Sequence, residues 1–228
     1  MLVVFDVDGT LLDSQHAIVA SMAEAYQLNG LEPPSREQVL AVVGLSVREA
    51  VEAISLDRPD HPIDAIGLAF KQSFNARRRA APEADPLYDG ALDVLKSLAA
   101  REGVLLGIAT GNSRRGVDRF LDTFGVRDLF AATQCADDAP SKPHPAMLLQ
   151  AAAQAGVPAE DMVMIGDTTF DMMMARSAGA RAIGVAWGYH PTDRLLASGA
   201  ERVISSFGEL DTALGFGPLE VRAPAAAE

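Results

Sequence analysis

The amino-acid sequence predicts a doubly wound α/β fold: a Rossmann-like parallel sheet covered on both faces, with a small helical unit inserted after its first strand. Three observations carry this expectation. Short apolar runs of strand length recur along the chain, helical apolar patterns lie between them, and one stretch near the N-terminus holds helical patterns without a convincing strand. Strand alternating with helix specifies parallel pairing, because parallel neighbours need a crossover and the crossover is usually a helix.

The first run, Leu2 to Phe5, ends at Asp6 and Gly9 and reads as a buried strand with acidic residues at its carboxyl end. In the insertion, Val19, Met22, Ala23 and Tyr26 form one apolar stripe and Ile63, Ile66, Phe70 and Phe74 another. Ser35 to Gln38 and Ser46 to Glu49 both have capping-box spacing, so a small helical bundle is expected here. The run Arg77-Arg78-Arg79 reads as the solvated end of a cap helix with no part in a site. Next, Leu92, Leu95, Leu98 and Ala99 mark a helix before the apolar run 104–109. Val117, Phe120, Leu121 and Phe124 mark another after it, closed by Gly125. A weaker run at 131–134 is followed by the helical set Met147, Leu148, Ala151, Ala152 and Ala155, stopped by Gly156-Val157-Pro158. Runs at 162–165 and 182–185, and a weaker one at 202–204, complete the sheet. Residues 1–13 and 87–216 are therefore assigned to the core, 14–86 to the cap, and the Pro/Ala-biased 217–228 to a mobile tail.

Composition narrows the function. A chain of 228 residues, 49% apolar and 22% charged, matches an ordinary globular protein large enough to bury a substantial core. Its 31 acidic residues against 19 basic ones give a formal charge of -12, which repels nucleic acid and anionic membranes, and neither is expected as a partner. A small anionic substrate stays open, since a few cations, amides and a metal ion can dominate the local field of a site. Met1 to Asp6 contains no basic leader or signal-length apolar segment, and the single Cys135 allows neither an internal disulfide nor a zinc cluster, so a cytoplasmic location is expected. Cys135 follows an apolar stretch and reads as a packed small hydrophobe. Oligomeric state leaves no signature in the sequence.

In open parallel sheets ligands bind beyond the carboxyl ends of the strands, where four polar groups should converge. They are Asp6-Val7-Asp8-Gly9-Thr10, Thr110-Gly111-Asn112, Lys142, and Gly166-Asp167-Thr168-Thr169-Phe170-Asp171. Asp6 and Asp8 present neighbouring carboxylates whose repulsion calls for a cation. Asp167 supplies another hard oxygen, and a few carboxylates with water and substrate phosphate suit Mg²⁺ better than an all-protein Ca²⁺ cage. Lys142 with the hydroxyl, amides and side-chain amide of Thr110, Gly111 and Asn112 is a donor set fit for phosphoryl oxygens. One carboxylate can attack phosphorus while the second shuttles protons.

Taken in order, these groups resemble the four motifs of the haloacid dehalogenase superfamily, with the helical insertion resembling the cap of its phosphoglycolate phosphatase-like branch. The resemblance implies a magnesium-dependent phosphatase acting on a small phosphate ester, with phosphoglycolate first among candidates. It implies Asp6 as nucleophile, Asp8 as general acid/base and, through its main-chain carbonyl, a metal ligand. Asp6 and Asp167 become carboxylate ligands and Asp171 a further acid at the metal, with a helix N-terminal acid as its alternative. Thr110, Gly111, Asn112 and Lys142 bind the phosphoryl group. Dehalogenases of the superfamily lack the second aspartate that Asp8 provides, and its ion pumps need membrane spans that this sequence lacks.

Two other readings remain open. A β-phosphoglucomutase-like isomerase shares the core and the cap stretch 43–48, but its cap histidine is not found in register, His16 lying nearby. A catalytically silent phosphate-binding regulator is the non-enzymatic alternative. In the cap, Arg48 can reach a substrate carboxylate or distal phosphate, while a helix-surface pair with Glu52 is the favoured account of it. His144, after Lys142, can line the site or lie at the surface.

Overall fold

Leu2, Val3, Val4 and Phe5 are all completely buried, a condition one strand meets only when both faces of its sheet are covered. The computed structural model describes residues 1–81 and 85–217, and shows this covering. Strands β1 (Leu2–Phe5), β2 (Leu105–Thr110), β3 (Phe130–Cys135), β4 (Met162–Gly166), β5 (Arg181–Val185) and β6 (Arg202–Ile204) form one sheet in the order β3-β2-β1-β4-β5-β6. Every pairing is parallel, and Leu2 stands opposite both Leu105 and Met162.

Alternate residues of β1 face opposite layers. Val3 and Phe5 pack with α5 (Ala91–Ala99), α6 (Arg114–Phe124) and α10 (Leu210–Leu214) through Leu95, Leu98, Phe120 and Leu210. Leu2 and Val4 pack with α7 (Ala146–Ala155), α8 (Thr169–Ala178) and α9 (Thr192–Ser198) through Met147, Leu148, Met172 and Leu195. The chain order reverses direction between β1 and β4, so the loops leaving these adjacent strands diverge and open a crevice above the sheet.

Between β1 and α5 the described residues form α1 (Gln15–Leu28), α2 (Arg36–Leu40), α3 (Val47–Ile54) and α4 (Ile63–Ala80), with an apolar cluster of their own. Ile66, Phe70 and Phe74 of the α4 stripe are buried in it as expected. On α1 the buried stripe is instead Ile18, Met22, Ala25 and Tyr26, with Val19 only partly buried. Ile18, Met22 and Ala25 keep helical spacing, so packing against α4 rotates the face by one residue from the sequence reading. Ser35 and Gln38 form both halves of a capping box. Ser46 makes only one half: its Oγ accepts from Glu49 N, but its own N–H donates 2.8 Å to Ser141 Oγ in the core loop before Lys142. Of the expected tail, only Gly217 falls within the described residues. No helix among the described residues is long and apolar enough to cross a membrane.

Candidate active site

Asp6 is the first residue beyond β1, and its N–H donates 3.0 Å to Ile165 O of β4. Asp167 is the first residue beyond β4, so two hydrogen-bonded neighbours deliver these carboxylates to one point. Both are buried, and together with buried Asp171 on α8 they bring one carboxylate oxygen each within 4.8 Å of one another. Gly9 makes the approach possible: its φ is 89°, and a Cβ there would stand 2.4 Å from Asp167 Oδ2. Asp167 is held by Thr10 Oγ1, donating 2.9 Å to Oδ1, and by Tyr189 N, donating 2.9 Å to Oδ2.

Lys142 enters this cluster fully buried, with Nζ 3.0 Å from Asp6 Oδ1 and 2.6 Å from Asp171 Oδ1. Burial opposes its charge, but Asp171 and Asp6 outweigh burial and hold the lysine above its ordinary pKa. One ammonium faces three carboxylates. Burial pushes Asp6 up to about 7, with Lys142 opposing and Asp171 and Asp8 adding to the rise. Burial, then the Asp6 and Asp171 charges, raise Asp167 well above the carboxylate range. Neither oxygen of Asp6 has a hydrogen-bond donor in good geometry among the described residues. Buried, anionic oxygens without donors fit a hard divalent cation, whose charge supplies what Lys142 alone does not.

Asp171 makes the helix N-terminal contacts of the second alternative read for it. Its Oδ2 accepts from Thr168 N at 3.1 Å and from Thr168 Oγ1 at 2.6 Å, the reciprocal capping box of α8, while Oδ1 faces Lys142. The helix cap thereby aims the lysine's partner.

Asp8 is fixed from three directions. Ser14 Oγ donates 2.6 Å to Oδ1, Arg78 donates 3.1 Å to the same oxygen, and Asn112 Nδ2 donates 2.8 Å to Oδ2. Ser14 is the N-cap residue of α1, yet its side chain makes no cap bond and goes to Asp8 instead. The amide of Asn112, expected as a phosphoryl donor, here holds Asp8, and its backbone N–H donates 3.3 Å to Thr110 Oγ1. Gly111 lies directly against the cap: a Cβ there would stand 2.6 Å from Gly44 O and 2.7 Å from Leu45 O.

Asp6, Asp8, Thr110, Gly111 and Asn112 line the floor of a cavity of about 180 Å³ between sheet and cap. Its other wall is largely apolar and includes Ile18, Met22, Val39 and Phe70 of the cap. Arg48 reaches the rim, but its guanidinium pairs with Glu52 at 2.9 Å and with Asp64, as the helix-surface alternative has it. His144 is exposed, bonded to Ala146 N, and does not line the cavity.

Sequence reasoning missed several participants. The clearest correction is Arg78, read as solvated but 8% exposed, with Nε donating 2.7 Å to Asp85 and its plane 4.1 Å over Phe74. It lies four residues beyond Phe74 on the stripe of Ile66, Phe70 and Phe74, and that spacing is the signal that marks it as buried. Ser14, Tyr189 and His190 carried no comparable signal. His190 is buried, its Nδ1 accepts from Thr169 N at 3.0 Å, and Nε2 lies 3.2 Å from Ala41 O of the cap, which calls for the Nε2–H tautomer. Burial lowers its pKa, favouring that neutral form.

A family model described as haloacid dehalogenase-like hydrolase matches residues 3–185. The chain is 33% identical over 212 residues to Probable phosphatase IndB of Dickeya dadantii, covering 92% of this chain and 91% of that one. It is 31% identical over 220 residues to phosphoglycolate phosphatase of Rhodospirillum rubrum, covering 94% and 90%. Among solved structures, a hydrolase from Pseudomonas syringae superposes with a TM-score of 0.82 at 25% identity, covering 94% of this chain and 98% of that one.

Proposed function

The chain belongs to the haloacid dehalogenase-like hydrolases and is a phosphatase among them, and from this premise we propose that it hydrolyses a small phosphate monoester through a phosphorylated Asp6. The observation that carries the proposal is the state of Asp6. It is a buried carboxylate that, among the described residues, has no hydrogen-bond donor in good geometry, and it lies 3.0 Å from a buried lysine, beside a second carboxylate at the floor of a cavity.

In this reading an Asp6 oxygen attacks phosphorus, the ester P–O bond breaks, and Asp8 gives its proton to the departing oxygen. The Asp8 carboxylate then takes a proton from water, which attacks phosphorus, releasing inorganic phosphate and restoring Asp6. Lys142 offsets the charge gathered around Asp6, and Asp171 with Thr168 keeps the ammonium in place. Thr110 and the Gly111 amide, both at the cavity lining, would receive the phosphoryl oxygens. Asp6, Asp167 and the Asp8 main-chain carbonyl would hold Mg²⁺, with Asp171 completing the charge. The ion supplies charge stabilisation for the transferring phosphoryl group.

Phosphoglycolate is the first substrate to test, supported by the name of the Rhodospirillum rubrum relative. His16 is exposed on the first turn of α1, and no histidine is among the described residues lining the cavity, so the cap histidine of the mutase reading has no counterpart there. The experiment is phosphate release from phosphoglycolate, sugar phosphates, nucleoside monophosphates and pyrophosphate, each with Mg²⁺ and with excess chelator. Metal-dependent release with one clear preference is expected. No release from any of them, or release untouched by chelator, would end the proposal.

A further inference from the structure

Arg78 belongs to none of the four motifs, yet it is the described cap side chain that ion-pairs with an acid of the catalytic floor. We propose that Arg78 is a positioning residue that holds the Asp8 carboxyl in its proton-donating orientation, making protonation of the leaving oxygen depend on the cap. The proposal rests on Asp8 being the proton shuttle.

A buried guanidinium is costly unless its charge and donors are matched, so each of its contacts carries information. Three surfaces fix this one. Nε is bonded to Asp85 Oδ2 at 2.7 Å, Phe74 stacks beneath the plane at 4.1 Å, and the remaining edge reaches Asp8 Oδ1 at 3.1 Å. Asp85 and Phe74 would suffice to bury a structural arginine. The reach to Asp8 is additional, and it comes from a rigid fork already locked by its other two contacts.

Seen from Asp8, the three donors come from three parts of the chain. Asn112 follows β2, Ser14 precedes α1, and Arg78 lies in the last turn of α4. Asn112 and Ser14 are neutral, leaving Arg78 as the single cation bonded to this carboxylate among the described residues. Without it, one hydroxyl and one amide at opposite oxygens remain, and the group can turn about its Cα–Cβ and Cβ–Cγ bonds. An acid catalyst must meet the departing oxygen within hydrogen-bond reach, so such freedom removes the benefit of a proton donor while leaving nucleophilic attack by Asp6 intact.

That separation supplies the test. With Mg²⁺ present, kcat/KM is measured for an alkyl phosphate, whose alkoxide needs a proton to leave, and for p-nitrophenyl phosphate, whose phenolate does not. In Arg78→Gln, kcat/KM is expected to fall by roughly 10²-fold for the alkyl ester and by less than about threefold for the nitrophenyl ester. Asp8→Asn should show the same selectivity, and the double variant should be no worse than Asp8→Asn on the alkyl ester. Arg78→Lys keeps the charge but cannot grip Asp85 and Asp8 together, so an intermediate, equally selective loss is expected, and it serves should Arg78→Gln not fold. Equal losses on the two esters, or no loss on either, would overturn the proposal and leave Arg78 a packing residue. A wild-type chain that cleaves neither ester, or an Asp8→Asn variant without selectivity, would instead overturn the phosphatase mechanism beneath it.

Discussion

Gly111→Ala adds one methyl group where core and cap meet backbone to backbone. The new carbon would lie 2.6 Å from Gly44 O and 2.7 Å from Leu45 O, against ordinary contact from 3.4 Å. Carbonyl oxygens have no rotamer to change, so the 44–45 turn must withdraw by about 0.8 Å or the 110–112 loop must sink into the sheet. Withdrawal also strains the Ser46 N–H bond to Ser141 Oγ, which is 2.8 Å long and adjoins Lys142. Overpacking of this kind costs about 1–3 kcal/mol, and a chain of this length loses roughly 2–4 °C in Tm for each kcal/mol. A displacement approaching 1 Å beside the reacting groups costs about 10²-fold in rate. The assay is phosphate release at subsaturating substrate, with Tm measured on the same preparation. A large loss of kcat/KM with a Tm fall of several degrees is expected. Wild-type values of both would refute the seating of the 44–45 turn against Gly111.

Further outcomes are expected at Asp6, Cys135 and Arg48. Asp6→Asn should lower kcat by at least about 10⁴-fold while leaving circular dichroism unchanged, because the amide is neither nucleophilic nor anionic; substantial turnover would end the covalent step. Its Tm in chelator should match or exceed wild type, since it removes one of three crowded carboxylates. Burial, aided by the bond from Sγ to Asp138 Oδ2, pushes the Cys135 thiol up to about 11. At pH 8, below that pKa, only about 10⁻³ of it is thiolate, so a thiol-disulfide reagent should label the native chain at least about 100-fold more slowly than the denatured one; rapid native labelling would contradict its burial. Arg48→Ala removes an exposed pair and should change kcat/KM by less than about threefold and stability by less than about 1 kcal/mol; a tenfold rise in KM would put Arg48 on the substrate.

Much of this arrangement was legible because it follows from local rules. A strand buried on both faces shows itself as a continuous apolar run, and a residue just past its end must sit at the sheet's carboxyl edge, which located Asp6 and Asp167. The reading that failed for Arg78 let local charge outweigh register: three arginines in a row suggest water, but the stripe through Phe74 assigns the middle one to the buried face. Other features depended on distant partners. Ser46 has capping-box spacing, yet half of that box is replaced by Ser141. Asn112 is a good phosphoryl donor in type, and only the fold shows Asp8 within its reach. Tyr189 and His190 meet Asp167 and the cap by virtue of a loop whose path no short pattern encodes.

The adjacency of β1 and β4 carries a wider consequence. Asp6 and Asp167 stand on the ends of two strands whose spacing is set by backbone hydrogen bonds, near 4.8 Å in any sheet. The separation of their backbones is thus a gauge cut by the peptide chain itself, indifferent to which side chains fill the layers below. Mutation can reshape the apolar wall of the cavity without resetting that gauge.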